Sequence, residues 1–440
     1  MKKYSFIALV VLTLMSSAAC VRLNLLPPED FSDSPWAVDK TLPVPIQFGQ
    51  GDIFQIESKA GDSPISTANF NGKHFAVSAV PRDPGSTGNL NMHMYRATAD
   101  DLLLNSAMAI NNNGQIQFVD FDNGDEPINY YYPMYKNGVD PVNYTFVAYR
   151  TTTEDVAEPK LVDAGGGNLV RYIDFDLNPE DNNADVLWAA SGDPATFTHG
   201  GHDYDGFNAD YARMTRLYKA GGIVNPELNF VHCASCITIK VKAEDSDKLK
   251  QLTGDVRNFT IMNLRISHFY DRARLSLPSG LLQGRGSVTS SEFLIDSSLQ
   301  TDIPSVLNPA VDSTVNSIGK LTNTPLVYGE FFMVPMVNDA DIDLTAEGYT
   351  TGQIKVGSGV TLSFDLLGKN AEDHPITKSV DLPFPEYASS GYGAYLPGQK
   401  YTYTITVKNP EQIVITTSVA NYTDFNASGG TYLGDPEIAI

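Results

Sequence analysis

Four short stretches of this 440-residue chain hold residues whose types and spacing could do chemistry. The first is Ser17-Ala18-Ala19-Cys20, where small residues run up to a thiol. A lipoprotein signal peptidase cuts just before a cysteine whose sulfur has already been lipidated, so Cys20 is the candidate lipidation site. Lys2 and Lys3 and the apolar run 6–15 stand ahead of it, which makes residues 1–20 a signal peptide, too short and wrongly flanked for a spanning helix. Ser17 stands where such sites usually carry Leu or another aliphatic residue. No later stretch reaches the roughly 18 apolar residues that a membrane helix requires. The acyl chains would then be the sole anchor.

The second stretch is His232-Cys233-Ala234-Ser235-Cys236. A CxxC does redox chemistry when it opens a helix, where the backbone lowers the thiol pKa. Here it runs into Ile237-Thr238-Ile239-Lys240-Val241-Lys242, which alternates apolar and polar as a strand does. Residues i and i+3 of an extended chain point to opposite faces about 10 Å apart, too far to bridge. Small buried thiols are the favoured reading, with a disulfide in a turn and redox or metal chemistry as the others. His199-Gly200-Gly201-His202-Asp203-Tyr204-Asp205 has metal-like spacing, since two imidazoles and two carboxylates could converge. It matches no established signature and reads better as a polar surface loop. Asp120-Phe121-Asp122-Asn123-Gly124-Asp125-Glu126 has the look of a calcium loop, but Gly124 is fifth and not sixth, and the twelfth residue is Tyr131. An Asx-rich hairpin turn is expected. There is no hydrolase elbow, phosphate loop or HExxH, and the carboxylates are too many to single out a glycosidase pair. No catalytic residue, cofactor or metal is assigned, and the chain reads as a non-enzyme.

The elements that would carry these stretches are strands. Gly, Pro, Asn, Asp and Thr punctuate short runs of β-branched and aromatic residues at roughly 8–12-residue spacing, the pattern of a sandwich and not of a parallel α/β sheet. Runs of this kind lie at 44–56, 74–80, 92–96, 116–121, 130–135 and 144–149, and again at 228–243, 258–268, 291–296, 328–336, 359–367, 377–382, 400–408 and 412–420. Between 150 and 225 the pattern loosens, and 209–220 is the one plausible short helix. With 42% hydrophobic residues the chain can bury real cores, and its length suggests two domains. A boundary is expected near 222–227, giving a tether over 21–43, a first sandwich over 44–224 and a second over 225–440. The formal charge of −22 becomes −24 once Lys2 and Lys3 are gone, which argues against nucleic acid or an anionic membrane surface as a partner.

A series of motifs follows the lipoprotein signal: the strand ending in Ser58-Lys59-Ala60, and Tyr132-Pro133-Met134 followed by Tyr144-Thr145-Phe146-Val147-Ala148-Tyr149. It continues through Asp185-Val186-Leu187-Trp188-Ala189, Phe230-Val231-His232 leading into Ile237 to Val241, and Leu396-Pro397-Gly398-Gln399-Lys400-Tyr401-Thr402-Tyr403. Each motif is weak alone, but their order across most of the chain resembles that of the fimbrillin-like (major and minor fimbrial subunit) lipoproteins of Bacteroidales bacteria.

The resemblance implies an all-β fold of two tandem transthyretin-like (Greek-key) sandwiches. It also implies an outer-membrane lipoprotein precursor whose first strand is removed by a trypsin-like protease at the cell surface. The opened groove then accepts a donor strand from the next subunit, because a missing strand leaves unpaired backbone groups and an apolar trench. Mapped here, the cut falls at Lys59-Ala60 and removes 44–59, with Lys59 standing where Arg is usual in the family. The donor would lie within 410–440, carried by Ile413, Ile415, Val419 and Tyr422, the last standing where Trp is common. Implied partners are other fimbrial subunits and the lipid of the outer membrane, with host or bacterial surface ligands beyond them. The alternative reading is a surface glycan-binding or adhesin lipoprotein, a tip or anchor subunit that does not polymerise, using Tyr130, Tyr131 and Tyr132 as sugar platforms.

Overall fold

The computed structural model describes residues 39, 41–49, 70–82, 102–133, 142–151, 159–163, 169–176, 185–243, 260–270, 272–277, 279–285, 292–294, 325–337, 355–356, 360–369, 375–383, 394–409, 412–421, 431–432 and 437–439. The fold is all-β, with one described α-helix, Ala209–Tyr218. A seven-stranded antiparallel sheet dominates the first half. Its order is Val231–His232, Leu187–Ala190, Tyr144–Arg150, His74–Pro81, Leu104–Asn112, Gln115–Asp120 and Glu126–Pro127. Tyr144–Arg150 is buried at every position and His74–Pro81 at all but Pro81, so these two central strands read as near-continuous apolar runs.

The second half holds a six-stranded sheet built on Ser235–Ala243. That strand pairs antiparallel with Leu326–Met333 and parallel with Gln399–Asn409, and Gln412–Asn421 follows as a hairpin from the latter. The Leu396-to-Tyr403 stretch explains itself here. Gly398, at φ +66°, turns the chain, and its N–H donates to the Ala234 carbonyl while Ser235 Oγ donates to the Leu396 carbonyl. Tyr401 Oη accepts from the Leu396 N–H at 2.8 Å, and Tyr395 and Tyr403 bond through their hydroxyls at 2.9 Å. Buried tyrosines keep such partners because an unpaired buried hydroxyl is costly. Burial raises the pKa of Tyr395 and Tyr403, keeping both hydroxyls protonated.

The two halves share both a sheet and a core. Lys160–Asp163 and Leu169–Asp176 pair with each other, and Leu169–Asp176 pairs in turn with Arg272–Ser276, which continues to Leu282–Arg285. One apolar cluster runs from Val44 and Phe75 through Phe146 and Leu187 to Leu275, Leu282 and Phe332. The chain crosses between sheets at His232–Ser235, where His232 Nδ1 meets Asp185 Oδ1 at 2.8 Å with both side chains buried.

Arg274 grips Asp174 through two hydrogen bonds of 2.6 and 2.7 Å while its guanidinium lies 3.6 Å from the Tyr172 ring centroid. That hydrogen bonding, reinforced by the charges of Arg274, Arg285 and Lys160, holds the Asp174 carboxyl below its ordinary pKa. A depressed carboxylate stabilises the fold above its unfolded-state pKa and loses that contribution as pH falls. Protection factors in 169–176 and 272–276, taken relative to the intrinsic exchange rate at each pH, are therefore expected to fall on acidification below about pH 4. Asp174→Asn should show fast exchange already at neutral pH and little further acid response; an unchanged acid response would remove Asp174 from the account.

Candidate functional site

The segment 44–48, of which Val44–Pro45 is a strand, is seated by its side chains. Val44 is fully buried and Ile46 is 5% exposed, while Gln47 between the inward positions faces solvent. Phe48 packs against Phe118 at 5.5 Å and edge-on against Phe146 at 5.4 Å. The period of two in a strand thus sends Val44, Ile46 and Phe48 inward. Backbone bonding is sparse. Val44 and Pro45 pair with Tyr132 and Tyr131, Ile46 N–H donates to the Tyr130 carbonyl at 2.8 Å, and Gly49 N–H donates to the Pro226 carbonyl at 3.0 Å. Pro43 and Pro45 have no N–H to offer, which confines such a segment to a sheet edge.

Aromatic rings line the groove beneath. Tyr130 packs edge-on to Phe118 at 4.9 Å, and Tyr132 lies 6.2 Å from Phe146 and 6.4 Å from Tyr144. Desolvation raises the pKa of both Tyr132 and Tyr144, keeping the two hydroxyls neutral.

The helix Ala209–Tyr218 lies against the same strand. Asn208 caps it, accepting from Tyr211 N–H at 2.8 Å and donating through Nδ2 to Asn143 Oδ1 and to the Asp205 carbonyl. Gly206, at φ +66°, leaves room for the Asn143 side chain, which would stand 2.2 Å from any added Cβ. Phe207 reaches Phe146 at 6.2 Å. On the buried face formed by Ala209, Ala212, Arg213 and Arg216, the Arg213 Nη2 donates to the Leu42 carbonyl. Asp39 closes a turn ahead of the strand by accepting from Thr41 N–H at 2.8 Å and Thr41 Oγ1 at 2.6 Å.

Of the residues singled out from sequence, Cys20, Lys59, Ala60 and Tyr422 lie outside the described residues. Ile413, Ile415 and Val419 fall on Gln412–Asn421, opposite Val407, Ile405 and Tyr401 of the neighbouring strand. The outer edge of that strand is covered at its two ends by Thr431–Tyr432 and Glu437–Ala439. The candidate donor therefore closes its own sheet in this state. Cys233 and Cys236 are buried and not joined in a disulfide, and burial raises the Cys233 thiol pKa well above its ordinary value. His199 and His202 flank the Gly200-Gly201 turn of the hairpin Phe197–His199 and His202–Tyr204. Among the described residues no cluster of three or more His, Cys, Asp or Glu is placed to hold a metal. The Asp120–Glu126 stretch is a hairpin turn, with a 3-10 segment at Phe121–Asn123 and Asp125 bonded to His74.

Tyr130, Tyr131 and Tyr132 do not share a face. Tyr132 is buried and Tyr130 packs on Phe118, while Tyr131 alone points out, 45% exposed. Three coplanar sugar platforms cannot be built from them. Sequence reading missed the Leu104–Asn112 strand, the Arg272–Arg285 hairpin and the role of Arg213. Two arginines at i and i+3 on the otherwise alanine-lined face of the helix were the available signal.

No family model and no curated protein matches the chain. Solved structures are matched at low identity. A candidate cell adhesion protein from Bacteroides ovatus shares 14% identity with a TM-score of 0.41, over 86% of this chain and 97% of that one. A fimbrial assembly protein from Parabacteroides distasonis shares 9% identity with a TM-score of 0.31, over 90% and 98%. The fimbrial anchor protein Mfa2 from Porphyromonas gingivalis shares 10% identity with a TM-score of 0.27, over 86% and 98%.

Proposed function

We propose that this chain is a fimbrial structural subunit of a Bacteroidales-type bacterium, exported as a lipoprotein through Cys20, that supports adhesion by polymerising and not by catalysis. Cleavage after Lys59 would release residues 44–59, and the vacated groove would accept a donor strand from another subunit. The observation that carries this reading is the seating of Val44, Ile46 and Phe48. They fill an aromatic trench, yet the segment is tied by few backbone bonds, and Pro45 within it and Pro43 just ahead have no N–H to add. Removing it exposes the Tyr130–Tyr132 edge and the Phe118 and Phe146 rings together. A replacement strand of alternating apolar residues satisfies both needs at once.

The sequence resemblance supplies the order of events, and Gln412–Asn421 with its tail is the donor under this reading. That strand is now paired along Gln399–Asn409, so donation requires a C-terminal strand to leave its own sheet. Because Tyr130, Tyr131 and Tyr132 point to opposite sides, no observation favours the glycan-platform alternative.

Limited trypsin digestion of the purified, unlipidated protein tests the reading, with N-terminal sequencing and denaturing gels run without boiling. The expected result is one cut after Lys59 followed by a ladder of multimers that collapses on boiling. A resistant monomer, or scattered loop cuts with no ladder, would reassign the chain to a tip, anchor or glycan-binding role.

A further inference from the structure

The strand at 44–48 must be set in register by something, and its ladder is poorly equipped to do so. A slip of one residue in a strand exchanges its two faces, which here would turn Pro45 and Gln47 inward and Val44 and Ile46 out. Only two residue pairs and the Ile46 bond define the pairing with Tyr130–Tyr132. The apolar anchors specify a spacing but tolerate shifts of two residues. Two further contacts are directional: the Gly49 N–H on the Pro226 carbonyl beyond the last anchor, and the Arg213 guanidinium on the Leu42 carbonyl ahead of the first.

Arg213 is suited to that task. Its side chain is 3% exposed, so a hydrogen bond it makes is poorly screened by water, and losing the acceptor would leave part of a buried charge unbonded. Burial lowers its pKa, while Asp210, 3.8 Å away, and Asp39 act against that and favour the charged form. The carbonyl it takes is prepared by the chain. Asp39 accepts from Thr41 N–H through its carboxylate and from Leu42 N–H at 3.2 Å through its carbonyl, and Pro43 disfavours helical backbone at Leu42.

We propose that Arg213 is the residue by which the groove reads a strand: it takes the main-chain carbonyl two residues ahead of the first buried anchor and so fixes the register of whatever strand is seated. The ligand class is an extended peptide with apolar side chains at every second position and a free carbonyl before the first. The native segment is one such ligand, and a strand from a second copy of this chain is the other. This rests on reading the 41–49 segment as removable.

The test uses the full chain carrying a site-specific protease sequence inserted between residues 50 and 59. After cutting, the protein is titrated by fluorescence anisotropy with two labelled synthetic peptides. One has the sequence of residues 39–49; the other lacks Pro43, which moves the carbonyl by one residue relative to the anchors. The unaltered groove is expected to prefer the native peptide by about tenfold, the range for a hydrogen bond to a charged group. Arg213→Gln should lose most of that preference, and Arg213→Lys should retain part of it. Arg216→Gln, a buried guanidinium on the same helix, should keep the preference. Retention of full preference in both Arg213 variants would overturn the inference while leaving the removable strand intact. If the cut protein takes neither peptide in place of its own segment, both readings fail together.

Discussion

Gly280→Val is expected to lower global stability by about 3 kcal/mol or more, the range for strain and overpacking combined. Gly280 sits at φ +69°, where a β-branched side chain is strained before any contact is counted. A Cβ there would stand 2.5 Å from Cδ2 and 2.6 Å from Cε3 of Trp188. The indole cannot move aside freely, because its Nε1 donates to the Leu277 carbonyl at 2.8 Å. Gly280 N–H in turn donates to the Ser276 carbonyl at 2.8 Å, so the backbone is also held. Trp188 belongs to the seven-stranded sheet, and Leu277 and Gly280 to the hairpin of the other half, so this contact joins the halves. Urea unfolding of Gly280→Ala, Trp188→Ala and the double variant would isolate it. Removing the indole first should make the alanine at 280 markedly cheaper, giving a coupling of about 1 kcal/mol or more. Strict additivity, or a Gly280→Val midpoint like the unaltered protein's, would mean the turn is free to shift.

How much of this could be read in advance differs sharply from element to element. Tyr144-Thr145-Phe146-Val147-Ala148-Tyr149 was legible as a strand because β-branched and aromatic residues stand at every position, and the structure buries every one. Gln399–Asn409 was legible from its alternation and from the Pro397-Gly398 turn ahead of it. Leu104–Asn112 was not, since Asn105, Ser106 and Asn111 break its apolar pattern. Its place is fixed by tertiary contacts, with Ser106, at φ 57°, donating its N–H to Ser78 Oγ and its Oγ accepting from Tyr149 Oη.

The single run expected over 228–243 is two strands in different sheets, split where Cys233 and Ala234 carry the chain across. Nothing local announces that crossing. It depends on His232 meeting Asp185, 47 residues earlier. The site was legible in part for the same reason. The alternation of Val44, Ile46 and Phe48 is written in the sequence, whereas the rings of Phe118, Tyr132 and Phe146 converge on it only through long-range pairing.

Ile46→Asp is expected to detach the 41–49 strand while leaving the rest of the fold standing. Ile46 is 5% exposed, and the substitution exchanges roughly 2 kcal/mol of apolar burial for a carboxylate that would be buried unpaired, itself costing about 3–5 kcal/mol. Among the described residues Arg213 already donates to the Leu42 carbonyl, four residues upstream of position 46. A charge so placed has a cheaper outcome than forcing itself into the trench. The strand undocks, the carboxylate enters water, and the cost to the whole protein is capped at the free energy of seating that strand. The two outcomes separate by measurement. Hydrogen exchange of 44–48 and of Tyr130–Tyr132 should approach unprotected rates, and protease access to 50–69 should rise at least tenfold, by the conversion of about 1.4 kcal/mol per decade. The urea midpoint should fall far less than a buried charge in Tyr144–Arg150 would cause. Ile46→Val, which keeps the apolar anchor, should leave both protections near the unaltered level. Protection at 44–48 that survives Ile46→Asp would mean the strand is fixed by more than its anchors. A strand whose loss unfolds the whole protein would be integral to the core, and neither result is compatible with exchange for another chain's strand.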